Sequence, residues 1–137
     1  MNVLFVCVQN AGRSQMAEAL FSRAAGAPHE ARSAGTQPAR SVHPEVVATL
    51  SELGLDVSHE VPSALAPTDA EWADVVVTMG CGDACPILPG VQYVDWELDD
   101  PAGRSPDEVR RIRDEIQARV TELVAELDRN PALGAIE

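Results

Sequence analysis

The chain has 137 residues, 45% of them apolar, and a formal net charge of −12, and its ten basic residues are all arginine. That acidity argues against nucleic acid and anionic membranes as partners, no apolar run approaches membrane-span length, and three cysteines are too few for a disulfide scaffold. One domain over residues 1–137 is expected, in a cytoplasmic setting, because the first residues lack the basic segment and cleavage site of a secretory signal.

Val3-Leu4-Phe5-Val6 is a short apolar run of the kind a buried parallel strand needs. After a small-residue loop, Met16, Ala17, Leu20, Phe21 and Ala24 recur at helical spacing, which predicts a helix from Ser14 to Ala25 with Gly26 and Pro28 as its stop. Residues 31–34 read as a short strand. A second helix starts near Pro44, places Val46, Val47, Leu50 and Leu53 on one face and stops at Gly54, with His43 as its cap. His29 and His59 lie in polar sequence and receive no role. Residues 57–67 are punctuated by proline and predict no element. Thr68 through Glu71 forms a capping-box pattern opening a short helical turn, and residues 73–79 form the next apolar, β-branched strand. Residues 92–95 make another short strand. The last helix has Ser105 as cap, Pro106 at its first position and Glu108 three residues on. Its core stripe is Val109, Ile112, Ile116, Val120, Leu123, Val124 and Leu127, with its Arg and Glu residues on a solvated face. Strands alternating with helices specify a parallel sheet with right-handed crossovers, hence a three-layer α/β sandwich. In such folds ligands bind beyond the carboxyl ends of the strands, where Cys7, Cys81 and Asp100 are all expected.

The loop from Cys7 through Val8, Gln9, Asn10, Ala11 and Gly12 to Arg13 and Ser14 is the chemical centre of the sequence. At a strand-to-helix junction, the loop amides and the first helical N–H groups converge on one point, with the positive end of the helix dipole behind them. Such a cradle suits a tetrahedral oxyanion. Arg13 adds a planar two-pronged donor, and the same field is expected to lower the pKa of Cys7 toward the thiolate. Asn10 tolerates the left-handed backbone such loops use, and the Ser14 hydroxyl can donate to a thiolate.

Cys-x5-Arg-Ser in this position, with Asn10 inside it, resembles the active-site loop of the low-molecular-weight protein tyrosine phosphatase family and of the arsenate reductases built on that fold. The resemblance covers almost the whole chain and implies a central four-stranded parallel sheet. It implies Cys7 as nucleophile, Arg13 as oxyanion holder, Asn10 as loop organiser and Ser14 as support for the thiolate. It also matches Asp100-Pro101 to the family's general-acid loop, with Asp99 adjacent. Gly12 stands where many members carry another cysteine. Glu18 and Ser33 match positions that, with Asn10, hold a structural potassium in some relatives.

Cys81 and Cys85 are bracketed by Gly80, Gly82 and Pro86. Two buried core cysteines, a zinc site and a redox pair are the competing readings. Glycine-flanked loop cysteines are poor core elements, and neither Cys-x2-Cys spacing nor a nearby histidine supports zinc. Cysteines four apart on a helical turn lie roughly 6 Å apart at Cα, within disulfide reach after a modest backbone change. The resemblance sharpens this to the resolving pair of thioredoxin-coupled arsenate reductases, although those best known with three cysteines have a longer spacer. It implies arsenate as substrate, with phosphate and sulfate competing, a Cys7–Cys81–Cys85 disulfide relay, thioredoxin or a similar dithiol as reductant, and no metal or cofactor. The alternatives are a phosphotyrosine or phosphoester phosphatase, a mycothiol- or glutathione-dependent reductase, and a non-enzymatic oxyanion or redox sensor.

Overall fold

The computed structural model describes residues 1–26, 28–80 and 91–129. The elements run β1 (Asn2–Cys7), α1 (Arg13–Ala24), β2 (Glu30–Gly35), α2 (Pro44–Ser51), α3 (Pro67–Trp72), β3 (Val75–Thr78), β4 (Gln92–Asp95) and α4 (Pro106–Arg129). The four strands form one parallel sheet in the order β2-β1-β3-β4. The chain leaves β1 toward one side for β2 and returns to the other side for β3. The crevice between the carboxyl ends of β1 and β3 is therefore the topological switch point.

Strand alternation distributes the core between two faces. Val3, Phe5 and Cys7 of β1 and Val75 and Val77 of β3 point to one face, where they meet Met16, Leu20 and Phe21 of α1, Val46 and Leu50 of α2, and the α4 stripe. Phe5 and Phe21 pack edge to face with ring centroids 5.7 Å apart. Leu4, Val6 and Val76 face the other way into a smaller cluster with Ala34 and Ala73, against which Trp72 and Leu65 pack. The result is the expected α/β sandwich, with unequal outer layers. No described helix is long and apolar enough to cross a membrane.

Three local expectations change. The short helix opens at Pro67, not after a Thr68 cap: Pro67 occupies the first turn, and the Asp69 carboxylate accepts the Ala66 N–H at 3.0 Å. Proline fixed at a first-turn position outweighs a threonine one residue later. His43 does sit at the N-cap position of α2, but its side chain makes no cap bond. The polar face of α4 is not uniformly solvated either. Arg113, one turn after Val109, is buried and donates to the Thr49 carbonyl and to Glu52, both at 2.8 Å, tying α4 to the end of α2. The Ser105 cap forms as expected, its hydroxyl oxygen accepting the Glu108 N–H and its proton going to the Glu108 carboxylate.

Candidate active site

Cys7 ends β1 as the last residue of its core stripe and is 2% exposed. The loop after it is shaped by the segment 36–43, which runs along its outer side. The Cys7, Val8, Gln9 and Ala11 carbonyls accept the N–H groups of Thr36, Gln37, Ala39 and His43 at 2.8–3.2 Å. In a planar trans peptide the next N–H points opposite the carbonyl. The N–H groups of Val8, Gln9, Asn10 and Gly12 are thus turned away from that segment, toward the concave side bordered by Cys7 and Arg13. Gly12 is the N-cap of α1 and supplies no side-chain cap bond, so the first-turn donors also face the loop.

Asn10 holds this shape. Its φ of 51° lies in the left-handed region, as its residue type allows. Its side chain is tied down at both ends: Nδ2 donates to Ser14 Oγ at 2.8 Å, and Oδ1 accepts from Ser63 N at 2.9 Å and Gln15 Nε2 at 3.3 Å. Ser14 Oγ lies 2.9 Å from Cys7 Sγ. That hydroxyl oxygen also accepts from Asn10, and either partner of the Ser14–Cys7 contact can donate; once Cys7 is a thiolate it has no proton to give, and the Ser14 hydroxyl is the donor. A buried relay from Asn10 through Ser14 to Cys7 thus holds a hydroxyl against the sulfur.

Arg13 closes the ring at the head of α1. Nη1 donates to the Leu98 carbonyl at 3.2 Å, and Nη2 lies 3.8 Å from Asp100 Oδ2, with the Arg13 side chain 10% exposed and that of Asp100 54%. Asp100 Oδ1 accepts the Ala102 N–H, and its carbonyl accepts from Arg104 Nε at 2.7 Å. Asp99 is instead drawn toward Arg111 of α4 at 3.4 Å, so Asp100 is the carboxylate beside Arg13. Gly12 lies where the two loops touch. A Cβ there would fall 2.9 Å from Pro101 Cγ, so the bare glycine lets the Pro101 ring seat against the oxyanion loop.

The structure thus brings Cys7, Val8, Gln9, Asn10, Ala11, Gly12, Arg13, Ser14 and Asp100 to the carboxyl edge of the sheet. Cys81 and Cys85 lie outside the described residues. Sequence reasoning missed Gln15, Ser63, Gly35 and the Leu98 carbonyl. A Cβ on Gly35 would come within 2.6 Å of the Val8 carbonyl and 2.9 Å of Asn10 N, so this glycine admits the loop. Gly35 N–H in turn donates to Ser63 O, and its carbonyl accepts from Leu65. The unplaced 57–67 stretch is therefore the strap that carries Ser63 to Asn10. His43 Nε2 lies 3.0 Å from Gln9 Oε1, which puts its ring on the loop rim. His29 bonds Asp128 at 2.7 Å, far from the site.

Glu18 and Ser33 meet beside the loop, the serine hydroxyl donating to the carboxylate. Burial pushes the Glu18 carboxyl above its ordinary value; the Ser33 bond opposes this and the nearby Glu60 charge adds to it. Among the described residues no three metal-ligating side chains gather in a cation-holding group.

A strand-loop-helix carrying Cys-x5-Arg-Ser, with this relay on its sulfur, matches the model of the low molecular weight phosphotyrosine protein phosphatase family over residues 2–133. The chain belongs to that family. Within it, the chain is 44% identical to the thioredoxin-dependent arsenate reductase of Corynebacterium glutamicum, with a TM-score of 0.80. That match covers 94% of this chain and 62% of the longer solved one, so this chain spans less than two thirds of that relative. The glutaredoxin arsenate reductase of Synechocystis sp. is 37% identical over 91% of this chain and 97% of its own. The YwlE arginine phosphatase of Geobacillus stearothermophilus is 26% identical, covers 94% of both chains and has a TM-score of 0.82. The family fold thus spans reductases and phosphatases, and the loop geometry is compatible with either chemistry.

Proposed function

We propose that this chain reduces arsenate to arsenite, with Cys7 as nucleophile and Cys81 and Cys85 as a resolving pair. The observation that carries the reading is the Cys7 sulfur, 2.9 Å from the Ser14 hydroxyl at the start of a loop whose carbonyls are bonded outward and which Arg13 closes at the head of α1. The arsenate reductases among the relatives direct that chemistry toward arsenate.

Arsenate enters with its oxygens on the loop amides and Arg13. The Cys7 thiolate attacks arsenic and forms a sulfur–arsenic bond; one oxygen leaves as water after accepting a proton from Asp100. The Cys81 thiolate then attacks Cys7 Sγ. A Cys7–Cys81 disulfide forms, the sulfur–arsenic bond breaks, and its electron pair stays on arsenic, which departs as arsenite. Cys85 attacks Cys81 next, releasing the Cys7 thiolate and leaving a Cys81–Cys85 disulfide. Thioredoxin or a similar dithiol protein supplies two electrons to reopen it. The whole protein is read as acting without a metal or organic cofactor.

The likeness to the arginine phosphatase favours a second reading, in which the same Cys7 adduct forms with phosphorus and water hydrolyses it. One assay separates the two. Arsenate-dependent NADPH oxidation is followed with thioredoxin and its reductase, beside Cys81→Ser, Cys85→Ser and a phosphoester hydrolysis assay. Turnover lost in both variants supports the relay. Hydrolysis that survives both, with no arsenate turnover, makes the chain a phosphatase.

A further inference from the structure

Three glycines among the described residues have positive φ: Gly54 at 80°, Gly80 at 86° and Gly103 at 71°. Around Gly54 and Gly103 a Cβ would meet nothing within 4 Å, so backbone angle alone accounts for glycine there. Gly80 is different. A Cβ on it would lie 2.5 Å from Arg13 Nη1, 3.2 Å from Cζ and 3.4 Å from Nη2. The whole guanidinium plane rests on the one face of this residue that any other amino acid would fill.

We infer that Gly80 is a positioning residue for oxyanion binding: its bare α-carbon forms the wall that sets the Arg13 guanidinium over the loop. The wall has two further sides. Nη1 is held by the Leu98 carbonyl at 3.2 Å, and Asp100 flanks Nη2 at 3.8 Å. Gly80 follows Met79, whose N–H donates to the Val6 carbonyl at 2.8 Å and whose side chain is fully buried, so the wall is anchored to β1 itself. The atom that a new Cβ would strike is the far end of a long side chain, whereas Gly80 is an exposed residue at a strand end. The guanidinium therefore yields before the fold does, and a substitution at Gly80 costs anion binding out of proportion to stability. A bidentate donor that is turned or pushed aside loses at least one charge-assisted bond.

This inference rests on the oxyanion-site reading of the loop but not on arsenate being the substrate. The test uses the whole protein, with inorganic phosphate as the probe. Gly80→Ala is compared with Gly54→Ala, which carries the same positive-φ penalty in open space. Both are expected to lower the melting temperature by similar amounts. Only Gly80→Ala is expected to weaken phosphate binding in calorimetry, by about tenfold or more, and to raise the KM for arsenate more than it lowers kcat. In an Arg13→Lys background, the Gly80→Ala loss is expected to shrink to within about twofold, because the displaced group is gone. Gly80→Asn, which tolerates positive φ yet carries a Cβ, repeats the measurement should the alanine variant fold poorly. Phosphate binding by Gly80→Ala equal to that of Gly54→Ala overturns the inference, as does a loss that persists in Arg13→Lys. An unmodified protein that binds no phosphate also overturns it. One whose phosphate binding weakens in Gly80→Ala as expected but that turns over no arsenate removes the reductase reading and leaves this inference standing.

Discussion

The two loops that meet at Gly12 are built on opposite plans. From Cys7 to Ser14 the carbonyls of four residues are bonded outward to segment 36–43, and Asn10, Arg13 and Ser14 are buried. From Asp99 to Arg104 the loop is mostly exposed and is held by local bonds from Ala102 and Arg104, plus a 3.8 Å approach of Asp100 to Arg13. A single approach at that distance to a carboxylate more than half exposed adds little stability. The contrast matches the two jobs assigned to them. Binding charge in the transition state requires donors that do not reorganise, whereas a proton donor must stay in contact with solvent to reload.

Substitutions at each loop test the division, and the largest effect is expected at the buried one. Cys7→Ser is expected to reduce arsenate turnover to background, about 10⁴-fold or more, while phosphate still binds; arsenite production beside calorimetry reads both. Asp100→Asn is expected to lower kcat by about 10²-fold or more and to leave phosphate affinity unchanged or tighter, since a negative charge near Arg13 is gone. Weaker phosphate binding in that variant would instead make Asp100 part of the rigid cradle and break the comparison. Gly12→Ala probes the junction. Its Cβ presses on Pro101, and a misplaced acid is expected to cost about threefold to tenfold in kcat with phosphate binding nearly intact.

The smallest effect lies behind the cradle, at Glu18. Its carboxyl titrates above the ordinary value in the native state, so the native protein holds that proton more tightly than the unfolded chain. The contribution is fully present below about pH 4.5, the ordinary glutamate value, and is lost as pH rises through the raised native pKa. Glu18→Gln is expected to flatten that decline, so urea midpoints of the variant gain on the unmodified protein from acid toward neutral pH. Parallel curves would show that Glu18 contributes no such slope.

Much of this plan was legible in the residues. The loop announced itself because its chemistry is local: thiol, asparagine, guanidinium and hydroxyl lie within eight positions, between an apolar strand and an amphipathic helix. The strands and helices followed for the same reason, since periodicity is a short-range signal. The supports were hidden where they are long-range. Ser63 reaches Asn10 from a stretch whose backbone bonds go to Gly35 instead of a ladder, so it has no period to detect. Gly35 and Gly80 matter for what they leave empty, and only their neighbours in space show that. Arg113 was legible in principle, since it falls on the Val109–Ile116 stripe, but its charge hid its burial.

The burial of Cys7 also makes the site a size filter. Cys7 is packed on the core side by the residues that β1 shares with α1, and only 2% of it is exposed. Reagent width, not only reactivity, should then govern its modification. Peroxide and slim electrophiles are expected to modify Cys7 faster than bulky maleimides, a ratio that mass spectrometry of the intact protein reads.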